Sequence, residues 1–129
     1  MSEKILLVED DLFISEIYNR KLTESGFEVR LVSDGEEAIP AFYDFEPDLV
    51  ILDIMLPKKS GWEILKELTK EKKEIKKETK IIMLTNLGEK EKIQEALEMG
   101  ADDYLVKASL TPSELVEIIK DKLDIKTKI

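Results

Sequence analysis

The chain has 129 residues with a formal net charge of −9, and its hydrophobic share of 43% is that of one folded domain spanning residues 1–129. It contains no Cys and no His, which excludes disulfides, thiolate or imidazole metal ligands, and catalysis by either side chain. The acidic balance disfavours nucleic-acid binding, and the lack of a signal-peptide pattern or of an apolar span of roughly 18 residues predicts a cytoplasmic protein without membrane insertion.

Short apolar runs alternate with amphipathic stretches along the chain, a pattern typical of βαβ units around a parallel sheet. The pattern predicts five strands, at residues 4–8, 29–32, 48–53, 81–84 and 103–106. The second strand is short and polar, which suits a sheet edge, and the third is the most apolar, which suits the centre. We therefore expect an α/β fold.

A helix is predicted after each strand. The first four cover residues 12–24, a segment from 34–37 to a point before Pro47, residues 62 to about 70, and residues 89–99. The last begins with Thr111, Pro112 and Glu114, a strong N-terminal capping signal, and we expect the chain to end with this helix. Apolar spacing predicts the buried faces of the first and third helices, made of Ile14, Ile17, Tyr18, Leu22, Ile64, Leu65 and Leu68. The mixed-charge run at 70–80 is interpreted as a solvated helix end and loop.

Polar residues stand where four of the predicted strands end: Glu9, Asp10 and Asp11 after the first, Asp53 at the third, Thr85 after the fourth and Lys107 after the fifth. The carboxyl ends of parallel strands meet at one edge of a sheet, where ligands bind. Taken singly, each residue has an ordinary explanation. Asp10 or Asp11 could cap a helix, Thr85 could make a turn, and Lys107 could lie on the surface. Together they predict a shared site.

Three carboxylates brought together repel one another, so their burial requires compensating positive charge. A hard divalent ion, preferably Mg²⁺, is expected to bind Asp10 and Asp53, and Lys107 is expected to supply a second positive charge. A free oxygen of Asp53 can then attack phosphorus and form an acyl phosphate, while Thr85 offers its hydroxyl to a phosphoryl oxygen. Phosphoryl transfer demands little more of a protein than this positioning and charge neutralisation.

Four segments carry a resemblance to a known family: ILLVEDD at 5–11, PDLVILDIMLPKKSGWEIL at 47–65, IIMLTN at 81–86 and GADDYLVK at 100–107. In order and spacing they resemble the receiver domain of bacterial two-component response regulators, the CheY-like family, along essentially the whole chain. The resemblance implies a three-layer, doubly wound (βα)5 fold with a parallel sheet of strand order 2-1-3-4-5. It also implies a phosphoacceptor that catalyses only its own phosphorylation and dephosphorylation and is not otherwise an enzyme.

The resemblance implies a role for each site residue. Asp53 accepts the phosphoryl group, and Thr85 and Lys107 contact that group. Tyr104 changes rotamer when Thr85 moves inward, so that phosphorylation biases a two-state equilibrium. Four residues are implied as ligands of Mg²⁺, with Mn²⁺ as a substitute: Glu9 through water, Asp10, Asp53 and the backbone carbonyl of Met55.

The resemblance also implies partners. The phosphodonor is a sensor histidine kinase or a histidine phosphotransfer protein, and an unidentified downstream protein binds the surface of the fourth helix, fifth strand and fifth helix. Because the sequence stops after the last helix, we expect no output domain, and either a monomer or a phosphorylation-dependent homodimer. The alternatives are a phosphate-relay intermediate or sink, a receiver that only binds, a metal-dependent phosphohydrolase, and a flavin carrier, whose phosphate the three acids would repel.

Two departures from the family pattern lead to predictions. The family usually has Pro after the site lysine, in a cis peptide, whereas Ala108 follows Lys107 here. We predict a cis Lys107–Ala108 bond, in spite of its cost of roughly 3 kcal/mol. The two positions that flank the path of the hydrolytic water in this family are Met55 and Leu87, neither of which can orient water by hydrogen bonding. This predicts a long-lived acyl phosphate.

Overall fold

Strands and helices alternate through the structure, a computed structural model that describes residues 2–75, 78–86 and 90–125. The strands are β1 (Lys4–Val8), β2 (Glu28–Val32), β3 (Leu49–Asp53), β4 (Lys80–Thr85) and β5 (Asp103–Val106). The helices are α1 (Leu12–Glu24), α2 (Gly35–Phe45), α3 (Gly61–Ile75), α4 (Lys90–Glu98) and α5 (Pro112–Lys122). A single turn of 3-10 helix, Lys107–Ser109, follows β5.

The five strands form one parallel sheet in the order β2-β1-β3-β4-β5, which confirms the predicted fold and strand order. Successive residues of β3 point to opposite faces. Val50 and Leu52 pack in the core beneath α2, α3 and α4, whereas Leu49 and Ile51 pack in the core beneath α1 and α5. Helices thus cover both faces of the sheet in three layers, and the carboxyl ends of the strands meet at one edge.

The buried faces of the helices follow the predicted apolar spacing with one exception. Tyr18 and Leu22 of α1 are buried, as are Ile64, Leu65 and Leu68 of α3. Ile17 was predicted to face inward, but it is 41% exposed. The buried stripe of α1 runs through Ser15, Tyr18 and Leu22, and this stripe is narrow enough to leave Ile17 at its edge.

The predicted end of α3 is wrong, because the helix continues past residue 70 to Ile75. Lys and Glu are good helix formers, so the first half of the charged run continues the helix, which then ends inside the run. The run does not lead into a wholly solvated loop either, since Thr79 is buried and donates its hydroxyl to the Pro47 carbonyl at 2.9 Å. The predicted first residue of the fourth helix, Glu89, lies outside the described residues. Within the described ranges, none of the helices has the length and apolarity that spanning a bilayer demands.

Candidate functional site

The carboxyl ends of β1, β3, β4 and β5 surround a cavity of about 340 Å³. It is lined by Glu9, Asp10, Asp11, Ile14, Asp53, Met55, Thr85, Asn86 and Lys107. All the predicted metal and phosphoryl residues belong to this set, whereas Tyr104, the second residue of the predicted switch, does not. The sheet therefore gathers at one edge side chains that are far apart in the sequence.

Asp53 is the last residue of β3 and is 6% exposed. One of its carboxylate oxygens accepts a hydrogen bond from the Met55 N–H at 3.3 Å, and the other lies 3.1 Å from the Lys107 Nζ. Gly61, which opens α3, donates its N–H to the Ile54 carbonyl at 2.8 Å. A Cβ at Gly61 would overlap the backbone of Asp53 and Ile54, so only glycine lets α3 begin this close to the end of β3. The backbone turns away behind Asp53 and leaves its carboxylate in the cavity.

Glu9 and Asp10 follow β1, and their environments differ, since Glu9 is buried and Asp10 is exposed. Carboxylate oxygens of Glu9, Asp10 and Asp53 lie within 4.8 Å of one another. Asp11 instead caps α1, where it accepts two backbone N–H groups of the first turn at 3.0 and 3.2 Å. Clustered carboxylate oxygens are the hard donors that Mg²⁺ prefers, so the residues present fit an ion of this kind.

Lys107 reaches the cavity from the start of the 3-10 turn, and its side chain is 9% exposed. The Nζ lies 2.6 Å from Glu9 Oε2 and 3.1 Å from Asp53 Oδ2, so it bridges the two acids. The predicted cis Lys107–Ala108 bond is wrong, because no peptide bond in the described part of the chain is cis. The turn is closed by the Leu110 N–H, which donates to the Lys107 carbonyl at 3.2 Å. Its trans backbone already aims the ammonium into the cavity, without the cost of a cis bond before a residue other than Pro.

Burial and pairing act in opposite directions on the charges of the cavity. Burial raises the pKa of Glu9 to about 7, with Lys107 opposing the effect and the charge of Asp53 adding to it. Burial alone would lower the pKa of Lys107, but its hydrogen bonds to Glu9 and Asp53 outweigh burial and raise that pKa above its usual range. Lys107 therefore stays cationic, and this single ammonium faces a cluster of three acids. The cavity is left with a net negative charge at neutral pH.

Thr85 and Tyr104 lie on neighbouring strands but in different surroundings. Thr85 ends β4, is 1% exposed and lines the cavity. Tyr104 pairs in register with Met83 of β4 and is buried in the core that also contains Ala96 of α4. The structure thus places the Tyr104 ring in the core and not in the cavity wall, and the switch role of the pair stays a prediction.

Two features of the cavity were missed from the sequence. Asn86 follows Thr85 and lines the cavity. Its position next to a residue at a strand end could have predicted this. The ion pair of Lys107 with Glu9 gave no signal, because it joins residues from opposite ends of the chain. Leu87, which was predicted to flank the water path, lies outside the described residues.

The geometry of the cavity agrees with a family match. Residues 5–120 match the family model of the response regulator receiver domain. This match covers most of the chain, and the chain therefore belongs to that family of two-component signalling proteins. Membership decides against the flavin-carrier and phosphohydrolase interpretations.

The similar proteins include both receivers alone and longer regulators. The "Probable transcriptional regulator ycf27" of Cyanophora paradoxa is 42% identical over 121 residues, which are 94% of this chain and 48% of that protein. The chain thus spans about half the length of this curated relative. A CheY-like receiver domain from Methanospirillum hungatei JF-1 superposes with a TM-score of 0.86 at 31% identity, covering 96% of this chain and 95% of that one. The response regulator DrrB of Thermotoga maritima, an OmpR/PhoB homologue, gives a TM-score of 0.81 at 33% identity, covering 99% of this chain and 55% of DrrB.

Proposed function

We propose that Asp53 is a phosphoacceptor that takes a phosphoryl group from a phosphohistidine on a sensor kinase or a phosphotransfer protein. The observation that carries this proposal is the position of Asp53, buried at the end of β3, clustered with two further acids and 3.1 Å from the Lys107 Nζ. A carboxylate oxygen of Asp53 attacks phosphorus, the bond from phosphorus to the donor nitrogen breaks, and its electron pair leaves with the imidazole. The product is an acyl phosphate.

Charge balance accounts for the residues around Asp53. The incoming phosphoryl group is anionic and the cavity is net negative, so the reaction requires added positive charge. Lys107 supplies part of this charge. Asp10, Asp53 and the carbonyl of Met55 would hold Mg²⁺, or Mn²⁺ in its place, with Glu9 acting through water. When bound, the ion would supply further positive charge beside the phosphoryl oxygens. Thr85 would donate its hydroxyl to one of these oxygens.

The surface beside the cavity suits a protein as the donor. Leu12 and Phe13 at the start of α1 are 69% and 73% exposed, and the Met55 side chain at the cavity is 69% exposed. Phe13 also lines a groove of about 380 Å³ along α1, together with Ile17 and Pro112. A donor must bring a histidine into the cavity, and these exposed apolar side chains offer it a surface to bury at the same time. In this proposal the phosphodonor binds the surface formed by Leu12, Phe13 and Met55.

Output follows from Thr85 and Tyr104 in this proposal. Movement of Thr85 toward a phosphoryl group on Asp53 makes room for the Tyr104 ring, so that the surface of α4, β5 and α5 repacks. Phosphorylation biases an equilibrium between two packings, and a downstream protein binds one of them. The chain catalyses only its own phosphorylation and dephosphorylation.

The proposal is tested by incubating the chain with acetyl phosphate and Mg²⁺ and measuring its intact mass. We expect the addition of a single phosphoryl group, which EDTA prevents and hydroxylamine removes, as it does from acyl phosphates. Asp53→Asn should abolish the addition. Asp11→Asn is the matched control, because it changes a neighbouring acid while Asn retains the capping of α1. Phosphorylation of Asp53→Asn to the parental level would overturn the proposal.

A relay or sink without its own output is the alternative, and partner binding separates it from a switch. Pull-downs with and without beryllium fluoride, a phosphoryl mimic, compare the parent chain with Asp53→Ala. A protein retained only by the mimic-loaded parent supports output through binding. If no protein depends on the mimic, the relay or sink is favoured.

A further inference from the structure

The loop between β3 and α3, residues 54–60, carries the Met55 carbonyl and is held against the first turn of α2. The Gly35 N–H donates to the carbonyl of Pro57 at 3.2 Å. A Cβ on Gly35 would overlap the carbonyl group and the Cβ of Lys59. Gly35 is not among the glycines with a left-handed φ, so this contact depends on the missing side chain and not on backbone freedom.

Charged groups reinforce the same contact. The Lys58 Nζ lies 3.5 Å from Asp34 Oδ2 and 4.0 Å from Glu36 Oε2. Lys58 adopts a φ of 70°, in the left-handed region that residues other than glycine seldom occupy. Asp34 is also the N-cap of α2, where its carboxylate accepts the N–H groups of Glu36 and Glu37 at 2.9 and 3.1 Å. Residues 34 and 35 therefore both start the helix and hold the loop.

Met55 lies between two fixed points of the chain. Asp53 precedes it at the end of β3, which is buried along its whole length. Pro57 follows it and is bonded to Gly35. The position of the Met55 carbonyl therefore depends on how closely α2 approaches the loop.

We propose that Gly35 is a positioning residue for the metal-binding carbonyl of Met55, an inference that rests on the proposed function. A side chain at position 35 has to push Lys59 and the bonded Pro57 away from α2, and the shift reaches Met55 along the loop. Mg²⁺ demands nearly ideal octahedral geometry with ligands at about 2.0–2.1 Å. A small outward shift of the loop is thus enough to remove this ligand.

Isothermal titration of Mg²⁺ into the purified chain measures the effect. Gly35→Ala is expected to weaken Mg²⁺ binding roughly tenfold, the usual size for loss of a group that orients a metal ligand. Ca²⁺ accepts more flexible coordination than Mg²⁺, so Ca²⁺ affinity should fall less than Mg²⁺ affinity. A merely structural role for Gly35 would change both affinities alike.

Gly26→Ala is the matched control. Gly26 lies between the end of α1 and the start of β2, at the edge of the sheet opposite the cavity. It has a φ of 97°, and a Cβ built on it would have no neighbouring atom within 4 Å. Ala there strains the backbone without touching the loop, and Mg²⁺ affinity should stay at the parental value. Equal weakening in Gly26→Ala and Gly35→Ala would overturn the inference.

A second variant covers the case in which Gly35→Ala does not fold. Asp34→Asn keeps the cap of α2 but removes the charge that faces Lys58, and it should weaken Mg²⁺ binding about twofold. Unchanged affinity in Asp34→Asn would then overturn the inference. Parental Mg²⁺ affinity in a folded Gly35→Ala overturns this inference alone, whereas a parent chain that binds no Mg²⁺ overturns the proposed metal site as well.

Discussion

Replacing Lys107 by Met is expected to destabilise the metal-free protein strongly. The Lys107 side chain is 9% exposed, and its Nζ lies 2.6 Å from Glu9 and 3.1 Å from Asp53, whose side chains are 1% and 8% exposed. Met is also long and unbranched, so the change mainly removes the charge. Glu9 and Asp53 are then left close together without a cation between them.

Removing a partner of a buried ion pair costs about 3 to 5 kcal/mol, because the remaining charge is uncompensated. The lower end applies here, since Glu9 can relieve the repulsion by taking up a proton. Its pKa is already raised to about 7 in the presence of Lys107. We expect the free energy of unfolding to fall by about 3 kcal/mol near pH 8 and by less near pH 6. For 129 residues, such a loss corresponds to a fall in Tm of roughly 10 °C.

Urea unfolding in EDTA, followed by circular dichroism, measures this loss. Lys122→Met is the matched control, because Lys122 pairs with Asp103 at 3.3 Å but is 29% exposed, and it should cost less than about 1 kcal/mol. The double variant with Glu9→Gln should lose less than the sum of the single losses, since the two side chains are in contact. A Lys107→Met chain as stable as Lys122→Met would refute the reasoning, and so would strict additivity with Glu9→Gln.

Three further predictions concern pH, signal lifetime and helix capping. In EDTA the free energy of unfolding should fall as the pH rises from about 4.5 to about 7, because in this range the folded chain keeps a proton on Glu9 that the unfolded chain has already lost. Urea titrations at several pH values measure this dependence, and Glu9→Gln should weaken it. An equal pH dependence in the parent and in Glu9→Gln would contradict the account. Met55→Asn should shorten the lifetime of the acyl phosphate, since Asn can orient water. The rate of phosphate release after loading with acetyl phosphate measures this lifetime. Release of phosphate from the parent chain within seconds would contradict the predicted long lifetime. Thr111→Ala should lower Tm by roughly 3 °C in thermal unfolding, because the Thr111 hydroxyl accepts the Glu114 N–H at 3.1 Å, while Thr111→Ser should keep the cap.

The order of elements was predictable because the apolar pattern along this chain is strong. β3 is apolar on both faces, as expected of a central strand covered by helices on both sides, and every residue in it is buried. The polar residues that interrupt the pattern fall at strand ends, so a parallel sheet was enough to predict that Asp53, Thr85 and Lys107 would meet. The strand ends alone were therefore sufficient to predict the cavity that these residues line.

Two local features were less predictable from the sequence: the end of α3, and the peptide bond between Lys107 and Ala108. The end of α3 was predicted too early in the chain, because a run of mixed charges is compatible with a loop and also with an exposed helix. The cis bond was inferred from family members with Pro after the lysine. Ala108 lacks the tertiary amide that makes a cis bond inexpensive, and a trans 3-10 turn directs Lys107 to the same acids.

The contact between Lys107 and Glu9 lay beyond sequence reasoning, and it changes how the site is understood. The shorter of the two Lys107 contacts is with Glu9, at 2.6 Å, and not with the proposed acceptor Asp53, at 3.1 Å. A single ammonium is therefore shared between two buried acids while Asp10 stands beside them, and it cannot neutralise all three. An anionic phosphoryl group would meet a net negative cavity in this state. In the proposed reaction, added positive charge at Glu9 and Asp10 would therefore both admit that group and let Lys107 turn toward Asp53.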